Sequence, residues 1–410
     1  MLSLAGLALP LMLTSGVASA AGNGGSNPEG APVNSIRIGE IDSQNGQALA
    51  GQAYRNGVAL ALAELNGAGG IDGRPLELVV RADDGSPDDA VRNARELIQK
   101  EKVDVLTGSM LSNVALAVSR LAASQKTVFV VGDALSDAIT LDRGNRYTFR
   151  VRPSTYMQAA MLAEQAAKLP GRRWAIIAPN YEYGQSAVSS FKLLLKQARP
   201  DVEFVAEQWP ALGKLKAEDA VRLLKQSRPD AIFNATFGAD LQQFVNEGSR
   251  QQLFGTVRVF SMASADALGA AGHGDLIRNW IAIGYPADQL ATAEHQRFVG
   301  AYQKRYNEQP RLSAIFGYTS MMAIAAGLKK AGSTDSEALI VAMRGMTMDT
   351  PLGRIAFRSL DQQASMGAFI GTVSEKDGHA VMSNWQFLDG ARYMPNAVYV
   401  RGRRPASAMK

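Results

Sequence analysis

The chain has 410 residues, with 43 Lys+Arg against 38 Asp+Glu, no Cys and 46% hydrophobic residues. That length points to about two or three domains, and the ordinary hydrophobic share excludes disordered and fibrous classes. Without thiols there are no disulfides, thiolate metal sites, iron–sulfur ligands or Cys nucleophiles, and a net charge of +5 scattered along the chain leaves no nucleic-acid footprint.

Residues 1–13 are apolar and uncharged, and Val17, Ala18, Ser19 and Ala20 supply small residues at the spacing of a cleavage site. The segment reads as an export signal (residues 1–20) cut after about Ala20, because spanning a bilayer takes about 20 apolar residues. It lacks a Lys or Arg ahead of the apolar run, which a start codon assigned too late would explain. A buried N-terminal helix is the alternative. Nothing later is long and apolar enough to cross a membrane, so a periplasmic, soluble protein is expected. Residues 21–34, rich in Gly, Pro and Asn, read as a flexible linker.

Short β-branched runs then alternate with longer helical patterns. Strands are predicted over 36–41, 76–82, 103–107 and 127–131, with helices over 50–66, 87–100 and 112–124 between them. Ser86-Pro87-Asp88-Asp89 is a helix start: a capping Ser, Pro at the first helical position and acids in the first turn. The rhythm resumes after Arg152-Pro153-Ser154, with helices over 154–168, 184–197, 217–227 and 239–251 and strands over 174–178, 202–207, 231–234 and 257–261. Such alternation predicts an α/β fold of two doubly wound parallel sheets. The tail departs from it, with helices over 291–307 and 313–331 before strands over 355–357, 368–373 and 381–387.

Doubly wound sheets bind ligands beyond the carboxyl ends of their strands, so two facing domains place a site between them. The loops there show no signature of catalysis. Gly69-Gly70-Ile71-Asp72-Gly73 follows a helix and precedes a strand, the wrong order for a dinucleotide fingerprint, and reads as a helix end and turn. Gly184-Gln185-Ser186-Ala187-Val188 lacks the second Gly of a nucleophile elbow. His273, His295 and His379 form no ligand-spaced pair. No metal or cofactor is expected.

Gly108-Ser109-Met110-Leu111-Ser112-Asn113 is more informative. It leaves a buried strand for a helix whose first-turn N–H groups are free, a site for a carboxylate or other small anion. Ser112 is expected to cap that helix, its hydroxyl and the neighbouring amides, Asn113 included, facing the crevice; a capping Ser without a ligand is the alternative. Gly132-Asp133-Ala134-Leu135-Ser136-Asp137 could offer backbone groups to the same ligand. Tyr181 and Tyr183 could close over it from the second domain, or pack at the core edge.

These segments resemble the type I periplasmic binding proteins, in the leucine/isoleucine/valine-binding branch that serves ATP-driven importers. The resemblance is carried by IRIGEIDSQNG, ELNGAGGIDGRPLELVVRADDGSPDDAVRNARELI, VDVLTGSMLSNVALAVS, RYTFRVRPS, WAIIAPNYEYGQS, RPDAIFNATFGADLQQFVNEG and GYTSMMAIAAGLKKAGS, over roughly residues 35–400. It implies two lobes joined by a three-strand hinge, with crossovers near 152–153, 284–286 and 350–353. The lobes would be 35–152 with 286–350, and 153–285 with 351–400, leaving 401–410 as a basic tail. Ligand-binding positions fall on Ser112 for a carboxylate, on Asp133, Ala134 and Leu135, and on Tyr183 and Phe237 in the closing lobe. Leu135 stands where a Thr hydroxyl belongs, Phe237 lacks a phenol oxygen, and Ala50 replaces an aromatic. The acid that pairs with a ligand ammonium falls near Ala263, with Ser264 and Asp266 close by. A buried ammonium without a partner costs several kcal/mol, so either Asp133 or Asp266 supplies the charge or the ligand is not an α-amino acid. The resemblance thus implies a monomeric receptor that passes a small amino acid or organic acid to a membrane permease. A sensory receptor of the same fold and a hydrolase are the alternatives.

Overall fold

The computed structural model describes residues 34–42, 48–271, 277–376 and 379–409, without the side chains of Ala48, Asp266, Ala271 and His379. The segment expected to be an export signal, nearly all of the expected linker and His273 lie outside the described residues.

The first sheet contains β1 (Ile36–Asp42), β2 (Leu76–Ala82), β3 (Val105–Gly108), β4 (Val128–Val131) and β5 (Thr148–Arg150), with α1 (Ala48–Gly67), α2 (Pro87–Gln99) and α3 (Ser112–Ser124) between the first four strands. Its order is β2-β1-β3-β4-β5, parallel throughout. Alternation along each strand sends side chains to opposite faces. Ile36, Ile38, Val105, Val128 and Val130 join one core, and Ile41, Leu106, Phe129 and Val131 join the other. β5 has three residues, too few for a periodic signal to reveal.

The second lobe runs through α4 (Thr155–Ala166), β6 (Arg173–Ile177), α5 (Glu182–Ala198), β7 (Glu203–Gln208), α6 (Ala217–Gln226), β8 (Ala231–Asn234), α7 (Gly238–Arg250), β9 (Arg258–Ser261), α8 (Ala265–Ala271) and β10 (Ile281–Gly284). The chain returns with α9 (Ala293–Tyr306), α10 (Leu312–Ala331) and α11 (Ser336–Met343), then β11 (Thr347–Thr350), β12 (Gly353–Ala356), β13 (Ala368–Lys376), β14 (His379–Leu388) and α12 (Ala397–Arg403). The second sheet reads β14-β13-β10-β9-β8-β6-β7. Its core is parallel as expected, but β13 and β14 add an antiparallel edge. The fold is α/β, with two doubly wound lobes joined through a hinge.

Helix α10 corrects the expectation that no later segment is long and apolar enough to cross a membrane: by length and composition it is, although it is mostly buried inside the protein. A helix apolar on all sides suits a protein core as well as a bilayer. It packs on α1 through two glycines. A Cβ on Gly57 would lie 1.9 Å from the Ala314 carbonyl oxygen, and one on Gly317 would lie 2.2 Å from that of Tyr54.

The third passage between lobes comes later than 350–353. β11 and β12 form a hairpin, Phe357 meets Phe149 edge-on at 5.7 Å, and the Ala364 N–H donates to the Arg150 carbonyl at 2.8 Å. These contacts hold the chain against the first sheet, and it joins the second at Ala368. Residues 401–409, set apart by sequence as a basic tail, pack on the first lobe. The Arg404 guanidinium is buried and donates to the carbonyls of Thr140, Asn145 and Asp361.

Candidate functional site

Both sheets reverse strand order beside their first strand, β1 against β3 in one and β6 against β8 in the other. Loops leaving adjacent strands there diverge to opposite faces and open a crevice. A cavity enclosing about 640 Å³ of atom-free space, including solvent at its mouth, lies at these strand ends. The first lobe lines it with Ala50, Met110, Leu111, Ser112, Asp133, Leu135 and Ser313, and the second with Tyr181, Tyr183, Phe237, Met262, Ala263, Ser264 and Ala267. Arg152, at the first passage between lobes, completes the wall.

The loop after β3 is bent by Gly108 and Ser109, both in the left-handed region at φ +101° and +65°. A Ser there is uncommon, and its strain is held by the surrounding fold. Ser112 is not the cap expected of it. Leu111 occupies that place without a side-chain hydrogen bond, Ser112 is the first helical residue, and its Oγ accepts from the Ser136 N–H at 3.1 Å. The first-turn amides of α3 are therefore not covered by a capping side chain. The same holds for α5 and α7, whose N-caps are Tyr181 and Phe237. Three helix N-termini without side-chain caps thus begin in the cavity wall, where their partial positive charge favours an anion.

Of the residues singled out by sequence, Ser112, Asp133, Leu135, Tyr183, Phe237 and Ser264 line this cavity. Ala134 is buried in the first-lobe core. Asn113 is not among the lining residues, and its buried Oδ1 has no partner. Asp266 belongs to α8, and its side chain is outside the described residues.

Sequence reasoning missed Arg152. Its guanidinium forms an ion pair with Asp133, with side chains 15% and 5% exposed, and lies 4.6 Å from the centre of the Phe316 ring. Its only sequence signal is its place between the two strand–helix runs. The pair changes the charge in the wall: Asp133, one of two acids expected to meet an ammonium, is already neutralised. Arg152 and Asp133 are the only ionic side chains among the described wall residues. The three second-lobe rings form one cluster, with centroids 5.7–6.3 Å apart. Burial pushes the Tyr181 and Tyr183 phenols up, so both are neutral at physiological pH.

The loop after β4 also ties the lobes together near the hinge. The Ser136 hydroxyl donates to Glu182 Oε1 at 2.6 Å, Ser190 donates to Asp137 Oδ2 at 2.7 Å, and the Tyr156 N–H donates to Asp137 Oδ1 at 2.7 Å. Ser186, in the segment that superficially resembles a nucleophile elbow, meets the Thr155 hydroxyl at 2.6 Å in the same network. His295 is interior, with Nε2 2.5 Å from the Tyr285 hydroxyl.

Comparison with known proteins agrees with the two-lobed fold. The Leu/Ile/Val-binding protein homolog 7 of Brucella abortus (strain 2308) is 27% identical over 338 residues, covering 77% of this chain and 82% of that protein. The leucine-, isoleucine-, valine-, threonine-, and alanine-binding protein of Pseudomonas aeruginosa is 22% identical over 330 residues, covering 79% and 85%. The crystal structure of a solute binding protein of an ABC transporter from Rhodopseudomonas palustris BisB5, in complex with 3,4-dihydroxy benzoic acid, superposes with a TM-score of 0.79 at 25% identity, covering 87% of this chain and 98% of that one. The family model described as "Periplasmic binding protein" matches residues 35–379, and the chain belongs to that family.

Proposed function

We propose that this protein is the exported solute-binding receptor of an ATP-driven importer, and that it captures a small aromatic carboxylate between its lobes for delivery to a membrane permease. The observation that carries the ligand class is the charge of the wall: Arg152 and Asp133 cancel, and no unpaired acid is present among the described lining residues. A carboxylate would meet the first-turn amides of α3, the Ser112 hydroxyl and the Arg152 fork. An α-amino acid would bring an ammonium to a wall whose described residues hold no unpaired carboxylate. Tyr181, Tyr183 and Phe237 suit a planar ring, since edge-to-face and offset contacts add about 0.5–1.5 kcal/mol per pair beyond area burial. The aromatic acid bound by the Rhodopseudomonas relative supports the same class.

Binding is then a population shift: ligand touches both walls only when the lobes close, so its affinity for the closed form over the open one drives closure. A second reading, a branched-chain amino acid, is favoured by the names of the Brucella and Pseudomonas relatives. It requires Asp266 to supply the carboxylate that Asp133 does not. Calorimetry and thermal shift on ligand-stripped protein separate the two. A ligand at 100 times its Kd stabilises by about 2.7 kcal/mol. Stabilisation by benzoates but not by leucine or valine supports the proposal, and the reverse pattern overturns it.

A further inference from the structure

Glu40 lies near the carboxyl end of β1, on the face that carries Ile36 and Ile38, and is only 1% exposed. Its Oε1 is buried and has no hydrogen-bond partner. Burial above all, with the neighbouring Asp42, pushes the carboxyl up to about 8, so it is protonated and neutral at physiological pH. Leaving a buried polar atom unsatisfied costs roughly 1–3 kcal/mol. A hydrophobic residue at this core position would avoid that cost.

The carboxyl lines a small chamber together with Asp42, Tyr54, Ser109, Met110 and Asp133. The chamber has room for a single group of about the size of a water molecule, within about 240 Å³ of atom-free space that includes solvent at its mouth. Met110 and Asp133 also line the main cleft, so the two spaces share a wall. The other two carboxylates are occupied: Asp42 pairs with Arg55 at 3.2 Å and Asp133 with Arg152. Among the described atoms of the lining, Glu40 Oε1 and the Tyr54 hydroxyl are the buried polar groups without a partner.

We infer that this chamber selects a hydroxyl on the ligand, with Glu40 Oε1 accepting its O–H while the ligand carboxylate is held by Ser112 and Arg152 on the cleft side. The inference rests on the aromatic-carboxylate reading above and adds the second polar group the ligand carries. With the acid proton on Oε2, Glu40 Oε1 accepts one O–H and the Tyr54 hydroxyl can donate to the oxygen of that same group, which matches a group that both donates and accepts. An ammonium brings three N–H donors and loses more hydration than a single oxygen returns. A bare ring or a methyl group leaves Oε1 as unsatisfied as before. Sites built to hydrogen-bond a substrate hydroxyl discriminate strongly against analogues that lack it.

The test is calorimetry of the ligand-stripped full chain with benzoate, 4-methylbenzoate, 3- and 4-hydroxybenzoate and 4-(aminomethyl)benzoate. At least one hydroxybenzoate is expected to bind about tenfold or more tighter than benzoate and 4-methylbenzoate. Glu40→Leu, which removes the acceptor, should collapse that ratio to about threefold or less, whereas Glu40→Gln, which keeps a carbonyl oxygen, should preserve most of it. The wild-type series stands on its own if a variant does not fold. Benzoate binding as tightly as both hydroxybenzoates, or an unchanged ratio in Glu40→Leu, overturns the chamber while leaving the main cleft intact. Tightest binding of the aminomethyl compound replaces the hydroxyl by a cation and also overturns it. If no member binds, the aromatic-carboxylate reading falls and takes the chamber with it.

Discussion

The first lobe's polar side chains at the cleft are Ser112, Asp133 and Ser313, set among Ala50, Met110, Leu111 and Leu135. Arg152 stands beside them at the first passage between lobes, whereas the second lobe brings the rings of Tyr181, Tyr183 and Phe237 with Met262 and a single hydroxyl, Ser264. The polar side is set by strand ends and by the start of α3, and its ion pair is tied to the hinge. The aromatic side is a cluster of rings carried on the starts of α5 and α7. The difference assigns separate tasks. Orientation belongs to the first wall, where a few directional groups fix where a carboxylate sits. Closure belongs to the second, because ring contacts and expelled water reward the closed form in proportion to area.

The largest effect should come from breaking the polar side at Arg152. Arg152→Met should lower affinity for an aromatic carboxylate by about 100-fold or more, since losing one partner of a buried, hydrogen-bonded charge pair costs about 2–5 kcal/mol. It should also lower Tm, because Asp133 is left buried and unpaired; adding Asp133→Leu should recover Tm without recovering binding. Next is the aromatic side. Phe237→Ala should weaken binding by about 10–30-fold, a loss of about 1.4–2 kcal/mol that falls mainly on the dissociation rate. Ser112→Ala should cost about five- to tenfold, the worth of one hydrogen bond of about 1 kcal/mol. Both should be measured by calorimetry and stopped-flow.

The smallest effect on affinity, and the clearest on pH, is that of Glu40→Gln behind the polar side. An acid whose carboxyl rises from 4.5 to about 8 on folding keeps a proton that the unfolded chain has lost. Stability therefore carries no penalty below about pH 4.5, falls as pH rises through the window to about pH 8, and levels off above it. Glu40→Gln should remove that slope from denaturant midpoints measured at pH 5 and pH 8.5, and should stabilise the ligand-free protein at the higher pH.

Much of the fold was legible because the helices and central strands are long or strongly patterned, and because their alternation leaves few topologies. The antiparallel edge and the late third passage were not. A hairpin such as β11–β12 reads alike whichever sheet it packs on, and the contacts of Phe357 and Ala364 with the first sheet join residues far apart in sequence. At the site, Ser112 and Tyr183 could be placed because each sits at or beside a strand-to-helix junction, and Phe237 through the family resemblance. Arg152 could not, since its role comes from Asp133 and Phe316 meeting at it in space. Glu40 was hidden inside a run that reads simply as a strand, and only burial without a partner distinguishes it.

The central claim is that the cleft holds an aromatic carboxylate between a polar and an aromatic wall. Competition calorimetry of refolded, ligand-stripped protein with hydroxybenzoate against leucine tests it most directly. The account predicts saturable one-to-one binding of the benzoate that leucine in large excess does not displace. Tight leucine binding with no heat from any benzoate would contradict it.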